Sequence, residues 1–410
     1  METVDCVIAG GGPAGMVLGL LLARAGVTVT VCEKHADFLR DFRGDTVHPS
    51  TMQLLDELGL GARFAALPQS HITEIAFPVD GGRIVVGDLR RLRTPHPYIA
   101  MVPQWDLLNL LAEAGTAEPG FTLRMRTEVT GLLRDGDRVA GVRYRTSDGQ
   151  TGEIRAALTI GCDGRWSTVR RQAGLVAREL PVPIDAWWFR LPRRDSDSLP
   201  GLRPAAGRGA MLVVIPREGH LQVAYLAGKG RDAELRDRGI EAFRADVAAA
   251  APWLADRVDA LSSMDEVRHL DVRVNRLRRW HRDGVLCIGD AAHAMSPIGG
   301  VGINLAIADA VATAARVAEP LRHGRIAAAD LAAVRARRWL PTVAVQTLQQ
   351  ALHRVILQPV LTGRRAGPPK PLLAAVRRVP AASVVPAYLM GIGLRPEHAP
   401  DFARRPAAPA

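Results

Sequence analysis

Aromatic side chains make up only 5% of these 410 residues, and three of the 53 basic residues are lysines, Lys34, Lys229 and Lys370. Cysteine is also rare: Cys6, Cys32, Cys162 and Cys287 stand alone, with no C-x-x-C spacing. That pattern excludes a disulfide scaffold, and the position of all four in or beside apolar runs assigns them to core packing in a reducing cytoplasm. No stretch of about 18 uninterrupted apolar residues occurs, so no transmembrane helix or integral membrane association is expected. No basic, apolar and cleavable leader precedes the first strand-like run. The net charge of +11 invites a nucleic-acid partner. The arginines, however, are spread along the whole chain and no RNP, zinc-finger or OB-like signature accompanies them, so background charge is the better reading. No internal repeat is visible.

What the chain does have is core. At 48% apolar and 23% charged it describes a folded protein too long for one small domain. Val4–Ala9 is a short apolar run of strand length, Gly10–Gly15 interrupts it, and Met16–Arg24 reads as an apolar helix ended by Gly26. Val27–Cys32 is then a second buried strand, which makes a βαβ opening. Helices are expected at about Ser50–Leu67 and Trp105–Ala114, a β-meander at Thr122–Tyr144 turning at Asp135-Gly136-Asp137, and a buried strand at Ala157–Gly161. Between Leu175 and Arg282 the pattern changes to antiparallel strands, among them Trp187–Leu191, Met211–Ile215 and Leu221–Leu226. The chain therefore leaves its first domain, builds a second sheet and returns. A long helix begins near Gly302.

Three motifs carry chemistry. The first is Gly10-x-Gly12-x-x-Gly15 between strand and helix, with Glu33 at the end of the next strand. Gly10 permits the tight turn, Gly12 lets backbone approach a pyrophosphate, Gly15 lets helix and sheet pack closely, and Glu33 is placed to accept from ribose hydroxyls. The second is Cys162-Asp163-Gly164 at a strand end. The third is Gly289-Asp290-Ala291-Ala292-His293, continuing through Pro297-Ile298-Gly299-Gly300-Val301-Gly302-Ile303-Asn304 into a helix with no acid in its first turn. A glycine-rich helix entry without an acid suits a bound anionic group held by backbone N–H donors.

In this order the three motifs resemble the p-hydroxybenzoate hydroxylase family of FAD-dependent monooxygenases over roughly residues 4 to 320. The resemblance implies an α/β fold: a Rossmann-like FAD-binding domain of glutathione-reductase type, an inserted antiparallel-sheet substrate domain and a C-terminal helical segment. The FAD-binding domain would comprise residues 1–75, 104–174 and 283–325. Residues 76–103 and 175–282 would form the substrate domain, 326–401 C-terminal helices, and 402–410 a disordered tail.

The resemblance also implies an enzyme that takes hydride from NADPH or NADH as a transient co-substrate. A flavin C4a-hydroperoxide would then insert one oxygen atom from O2 into an aromatic substrate. Carried over by position, Gly10, Gly12, Gly15, Glu33 and Lys34 would hold the ADP half of FAD. Arg43 would lie near the flavin phosphates, Gln104 at the linking chain, and Asp163 and Gly164 near the pyrophosphate and nicotinamide route. Asp290 would bond the ribityl hydroxyls. Pro297 and the backbone of Gly299, Gly300, Val301, Gly302, Ile303 and Asn304 would cradle the isoalloxazine ring. No second GxGxxG follows a strand, so a separate nicotinamide domain is not expected. The Trp-x-Trp-x-Ile-Pro motif associated with flavin halogenases is absent.

Two residues are candidates for catalytic roles, Pro297 and His48. His48 is either a base beside the flavin or part of a helix-entry turn capped by Ser50. His293 reads as a loop-fixing residue. For substrate, Met211 to Ile215 is apolar on both faces and lacks the polar groups that would clamp a small benzoate. This points to a larger, neutral, lipophilic or polyketide-like molecule in secondary metabolism, lined by Trp187, Trp188, Met211, Val213 and Tyr225. The apolar Leu372–Leu394 stretch either docks on a membrane surface or packs as terminal helices, and a homodimer is left open. The alternative activity is reduction or dehydrogenation on the same fold without oxygen insertion.

Overall fold

The computed structural model describes residues 2–39, 46–79, 82–197, 201–207, 209–217, 219–364, 378 and 380–406. Its largest sheet is built on β1 (Glu2–Ala9), whose Cys6–Ala9 end is buried and pairs in parallel with β2 (Val29–Cys32) on one side and Thr151–Gly161 on the other. Val285–Cys287 and Phe121–Arg124 extend this parallel core outward. Thr127–Asp135 and Arg138–Thr146 form the expected meander, turning at Gly136 (φ +55°). Strands buried on both faces explain the near-continuous apolar runs at Val4–Ala9 and Ala157–Gly161.

The helices are α1 (Pro13–Arg24), α2 (Pro49–Glu57), α3 (Gly61–Ala65), α4 (Gln104–Thr116), α5 (Thr168–Gln172), α6 (Asp232–Asp237), α7 (Gly239–Ala250), α8 (Gly302–Arg322), α9 (Ala328–Leu352), α10 (Gln358–Leu361) and α11 (Val384–Gly391). The expected Ser50–Leu67 helix is thus two: Gly59 (φ +73°) turns the chain, and Asp56 Oδ1 would lie 2.0 Å from any Cβ at Gly61. A π-helical turn, His353–Leu357, joins α9 to α10. By composition α8 is apolar enough to span a membrane; its packing against α1 and the core sheet accounts for that apolarity.

The second sheet runs in the order Arg203–Gly207, Ala210–Pro216, His220–Gly228, Ile184–Pro192 and Arg268–Leu270, antiparallel throughout. The architecture is therefore the α/β one expected from the sequence, with a parallel-core domain, an antiparallel sheet inserted between its strands, and helices after it. The expected disorder of 402–410 does not hold for 402–406. Ala403 is fully buried, Arg24 donates to the carbonyls of Leu58 and Ala403 at 2.9 Å each, and Arg405 N donates to Glu57 O at 3.1 Å. Composition misled here because an arginine belonging to α1 supplies the anchor. In the Leu372–Leu394 stretch, residues 372–377 and 379 lie outside the described residues. The α11 part packs, with Ala387 buried beside Leu89 and Leu92.

Candidate functional site

The three glycines of the first loop do different work. A Cβ on Gly10 (φ +104°) would lie 2.4 Å from Cys162 O, and one on Gly15 would lie 2.0 Å from Gly10 O, so both are required by the protein's own packing. A Cβ on Gly12 would meet nothing within 4 Å: that position opens outward. Glu33 ties the loop down, accepting from Gly11 N and His35 N at 3.0 Å each. The α1 N-terminus has no side-chain cap and no acid in its first turn, which leaves it suited to phosphate. Lys34 is exposed beyond β2, and Gln104 is half-buried as the first residue of α4. Arg43 lies outside the described residues.

In the second motif Asp163 turns away from the open side. Its carboxylate accepts from Ser167 Oγ, from Thr168 N at 2.7 Å and from Val169 N at 3.1 Å, so it fastens the entry of α5. Burial raises its pKa against those hydrogen bonds. The side chain thus fixes the loop, while Gly164 (φ +80°) has open space above it.

In the third motif Asp290 is half-buried and its carboxylate makes no hydrogen bond among the described residues. Its loop is held from behind by a buried chain of charges. Asp309 accepts from Gly289 N at 3.1 Å, contacts His293 Nε2 at 2.5 Å and pairs with Arg338 Nε at 2.9 Å; Arg338 in turn pairs with Glu397 at 3.1 Å. Burial opposes ionisation of Asp309, but the neighbouring His293 and Arg338 hold its pKa below the usual value. His293 is the loop-fixing residue expected.

The Pro297–Asn304 segment is bent by Gly299 (φ +82°) and Gly300 (φ +62°). Thr46 Oγ1 would lie 2.4 Å from a Cβ at Gly300, and it donates to Gly300 O at 2.7 Å. Pro297 is half-buried at the start of this bend. Val301 precedes α8, whose first turn has neither acid nor side-chain cap, and Gly302 is open. Ile303 is half-buried; the Asn304 amide is committed to protein contacts with Thr46, His48, Thr51 and Gly300.

His48 is fully buried, and burial lowers its pKa to about 4 although the Met390 carbonyl, 2.6 Å from Nδ1, favours the proton. Near neutrality it is an uncharged ring that donates from Nδ1, which suits the helix-entry role and leaves Nε2 a weakly basic acceptor. It occupies the position before Pro49, where Ser50 had been expected to cap. His48 Nε2 is buried with no hydrogen-bond partner among the described residues.

Open space at Gly12, Gly164 and Gly302, two uncapped helix entries and unpartnered polar atoms at Asp290 and His48 fit an extended dinucleotide with a polar chain and a ring, as FAD is.

Alternation along the second sheet sorts the substrate candidates. Trp187 pairs with Tyr225, and both face α7 with Phe189, Phe243 and Val247; Trp187 is fully buried and its indole donates to Asp232 at 2.8 Å. Tyr225 is 2% exposed, and burial pushes its pKa up to about 12. Neither lines an open pocket. Trp188, Ala224, Met211 and Val213 lie on the opposite face, in one cluster with Ile298, Leu357 and Leu361. Met211 and Val213 thus share the face that Trp187 and Tyr225 do not. The residues missed are Asp309, Arg338 and Gln349, which carry no local motif; Trp188, also a sequence candidate, lies opposite Trp187 as period-two alternation requires.

The chain matches the family FAD_binding_3, described as FAD binding domain, over residues 3–346. The 6-methylpretetramide 4-monooxygenase of Streptomyces rimosus is 37% identical over 386 residues, which cover 92% of this chain and 90% of that one. The 12-dehydrotetracycline 5-monooxygenase/anhydrotetracycline 6-monooxygenase of Streptomyces rimosus subsp. rimosus is 32% identical over 326 residues, covering 75% of this chain and 61% of that one. Among solved structures, the OxyS anhydrotetracycline hydroxylase from Streptomyces rimosus superposes with a TM-score of 0.75 at 24% identity, covering 95% of this chain and 76% of that one. Family and fold agree with the motifs: the chain belongs to this FAD-binding family and is an FAD-dependent monooxygenase.

Proposed function

We propose that the protein hydroxylates a large, neutral, polycyclic aromatic polyketide, using NADPH or NADH and O2 in the cytoplasm. The carrying observation is the face formed by Trp188, Met211, Val213, Ala224 and Ile298. It is apolar and adjoins the bend that leads into α8. Such a surface binds by area and shape, and none of these five side chains carries a charge that could clamp a small aromatic acid. The polyketide substrates named for the similar S. rimosus enzymes support the same class.

Bound FAD supplies hydride acceptance and the activation of O2. The chain's own residues bind, orient and exclude water. Gly12 and the α1 entry would take the pyrophosphate, Asp290 the ribityl hydroxyls, and the backbone of Pro297–Asn304 the ring. The uncapped entry of α8 favours negative charge beside that ring, as its reduction requires. The apolar sheet face and the π-helical turn bearing Leu357 keep water from the reacting edge.

The test is NADPH and NADH oxidation by the FAD-loaded protein across naphthols, anthrones and 6-methylpretetramide, with oxygen-18 followed in the product. Substrate-stimulated oxidation with one labelled atom is expected for the polycyclic compounds. Turnover that modifies substrate without label would replace hydroxylation by dehydrogenation.

A further inference from the structure

The bend at Pro297–Gly300 is bracketed by two buried amide side chains. Asn304 holds its far end, accepting from His48 N at 2.9 Å and Thr51 Oγ1 at 2.8 Å while donating to Thr46 O and Gly300 O. Gln349, 2% exposed on α9, holds the near end. Its Nε2 donates to Ser296 O and Ile298 O at 2.9 Å each, and its Oε1 accepts from Ser296 N at 3.2 Å. One planar amide therefore fixes both carbonyls that flank Pro297. Four residues on, on the same helix face, His353 Nε2 lies 2.9 Å from Ser296 Oγ. Burial lowers the His353 pKa to about 4, so this contact is made by a neutral ring. Between the two brackets the chain turns at the positive-φ Gly299 and Gly300, with Gly300 N donating to Pro297 O at 3.0 Å and Gly300 O accepting from Thr46 Oγ1 at 2.7 Å.

We propose that Gln349 is a positioning residue for the flavin. By fixing Ser296 and Ile298 it sets the direction of the backbone N–H groups that follow, and so the electrostatic environment of the isoalloxazine ring. Donors pre-oriented by a rigid frame stabilise developing charge more than mobile ones do. The inference rests on the assignment of this bend to the ring. Gln346, one turn earlier, provides a built-in comparison: it is equally buried, and its Nε2 donates to Asn275 O at 2.8 Å and Ala294 O at 3.0 Å, short of the bend.

The experiment compares FAD-loaded wild type with Gln349→Met, Gln349→Glu and Gln346→Met. It reads melting temperature, retained FAD, the visible spectrum of the bound flavin and its oxidised-to-reduced ratio at a fixed dye potential, all without substrate. Both methionine variants are expected to lose similar thermal stability. Only Gln349→Met is expected to shift the flavin bands and move the ratio about tenfold toward the oxidised form. In Gln349→Glu a carboxylate would face two carbonyls, which raises its pKa. As pH falls through that value the carboxyl regains one donor, and the flavin signature is expected to return toward wild type. Equal flavin shifts in both methionine variants, or none in either, would overturn the proposal. So would a Gln349→Glu signature that ignores pH. If Gln349→Met fails to fold, the pH series of Gln349→Glu decides alone. Because no substrate enters, failure of the hydroxylation reading leaves these outcomes interpretable, whereas wild type that retains no flavin would remove the ring assignment itself.

Discussion

Substituting glycines of the first loop one at a time separates packing from binding. Gly15→Ala places a methyl group 2.0 Å from Gly10 O and is expected to destabilise the FAD-free protein by about 1–3 kcal/mol or more. Gly12→Ala meets no protein atom, so its FAD-free melting curve should match wild type while FAD affinity, titrated by flavin fluorescence, falls at least tenfold. The two buried histidines carry a pH signature. A histidine whose pKa falls on folding binds its proton more readily when unfolded, so its burial costs stability once acid can protonate the open chain. His48 and His353, each lowered from 6.5 to about 4, should therefore make stability fall as pH drops from 6.5 toward 4. Urea unfolding at stepped pH would show it, and His353→Gln should flatten the slope. The glycines were legible because a turn leaves its residue types in the chain. The direction of Asp163 was not, since it depends on which helix entry, here that of α5, lies within its reach.

Elements were legible by type more than by face. Met211 to Ile215 is apolar at every position, so its alternation has no sign until α7 covers one side. That cover makes Trp187 core and leaves Trp188 on the opposite face, with Ile298. Trp187→Ala should cost about 3–5 kcal/mol in urea unfolding with substrate preference unchanged. Val213→Phe should narrow the range of polycyclic substrates accepted, with little change in melting temperature; kcat/KM across the hydroxylation panel reads it. A preference shift in the Trp187 variant alone would reverse the assignment of faces. The division of the expected Ser50–Leu67 helix at Gly59 is a simpler miss, since apolar periodicity continues across a turn that one positive-φ glycine suffices to make.

At the scale of the molecule, the motif around Asp290 is held by groups far along the chain. Asp309 and Arg338 are 0% and 1% exposed, and each would leave the other's charge stranded. Asp309→Asn is expected to cost about 3–5 kcal/mol and to release FAD in parallel, because His293 and Gly289 lose their anchor with Arg338. Thermal melts with and without FAD would separate the two losses. Nothing in the local sequence marks Arg338 or Gln349, since their partners are brought to them only by the packing of α9 behind the bend. The contact between Arg24 and the Ala403 carbonyl spans 379 residues, so α1 cannot complete its polar contacts until residue 403 has emerged from the ribosome. The nascent βαβ unit thus holds an arginine whose partners arrive in turn, Leu58 O and Glu118 early and Ala403 O only at the end of synthesis.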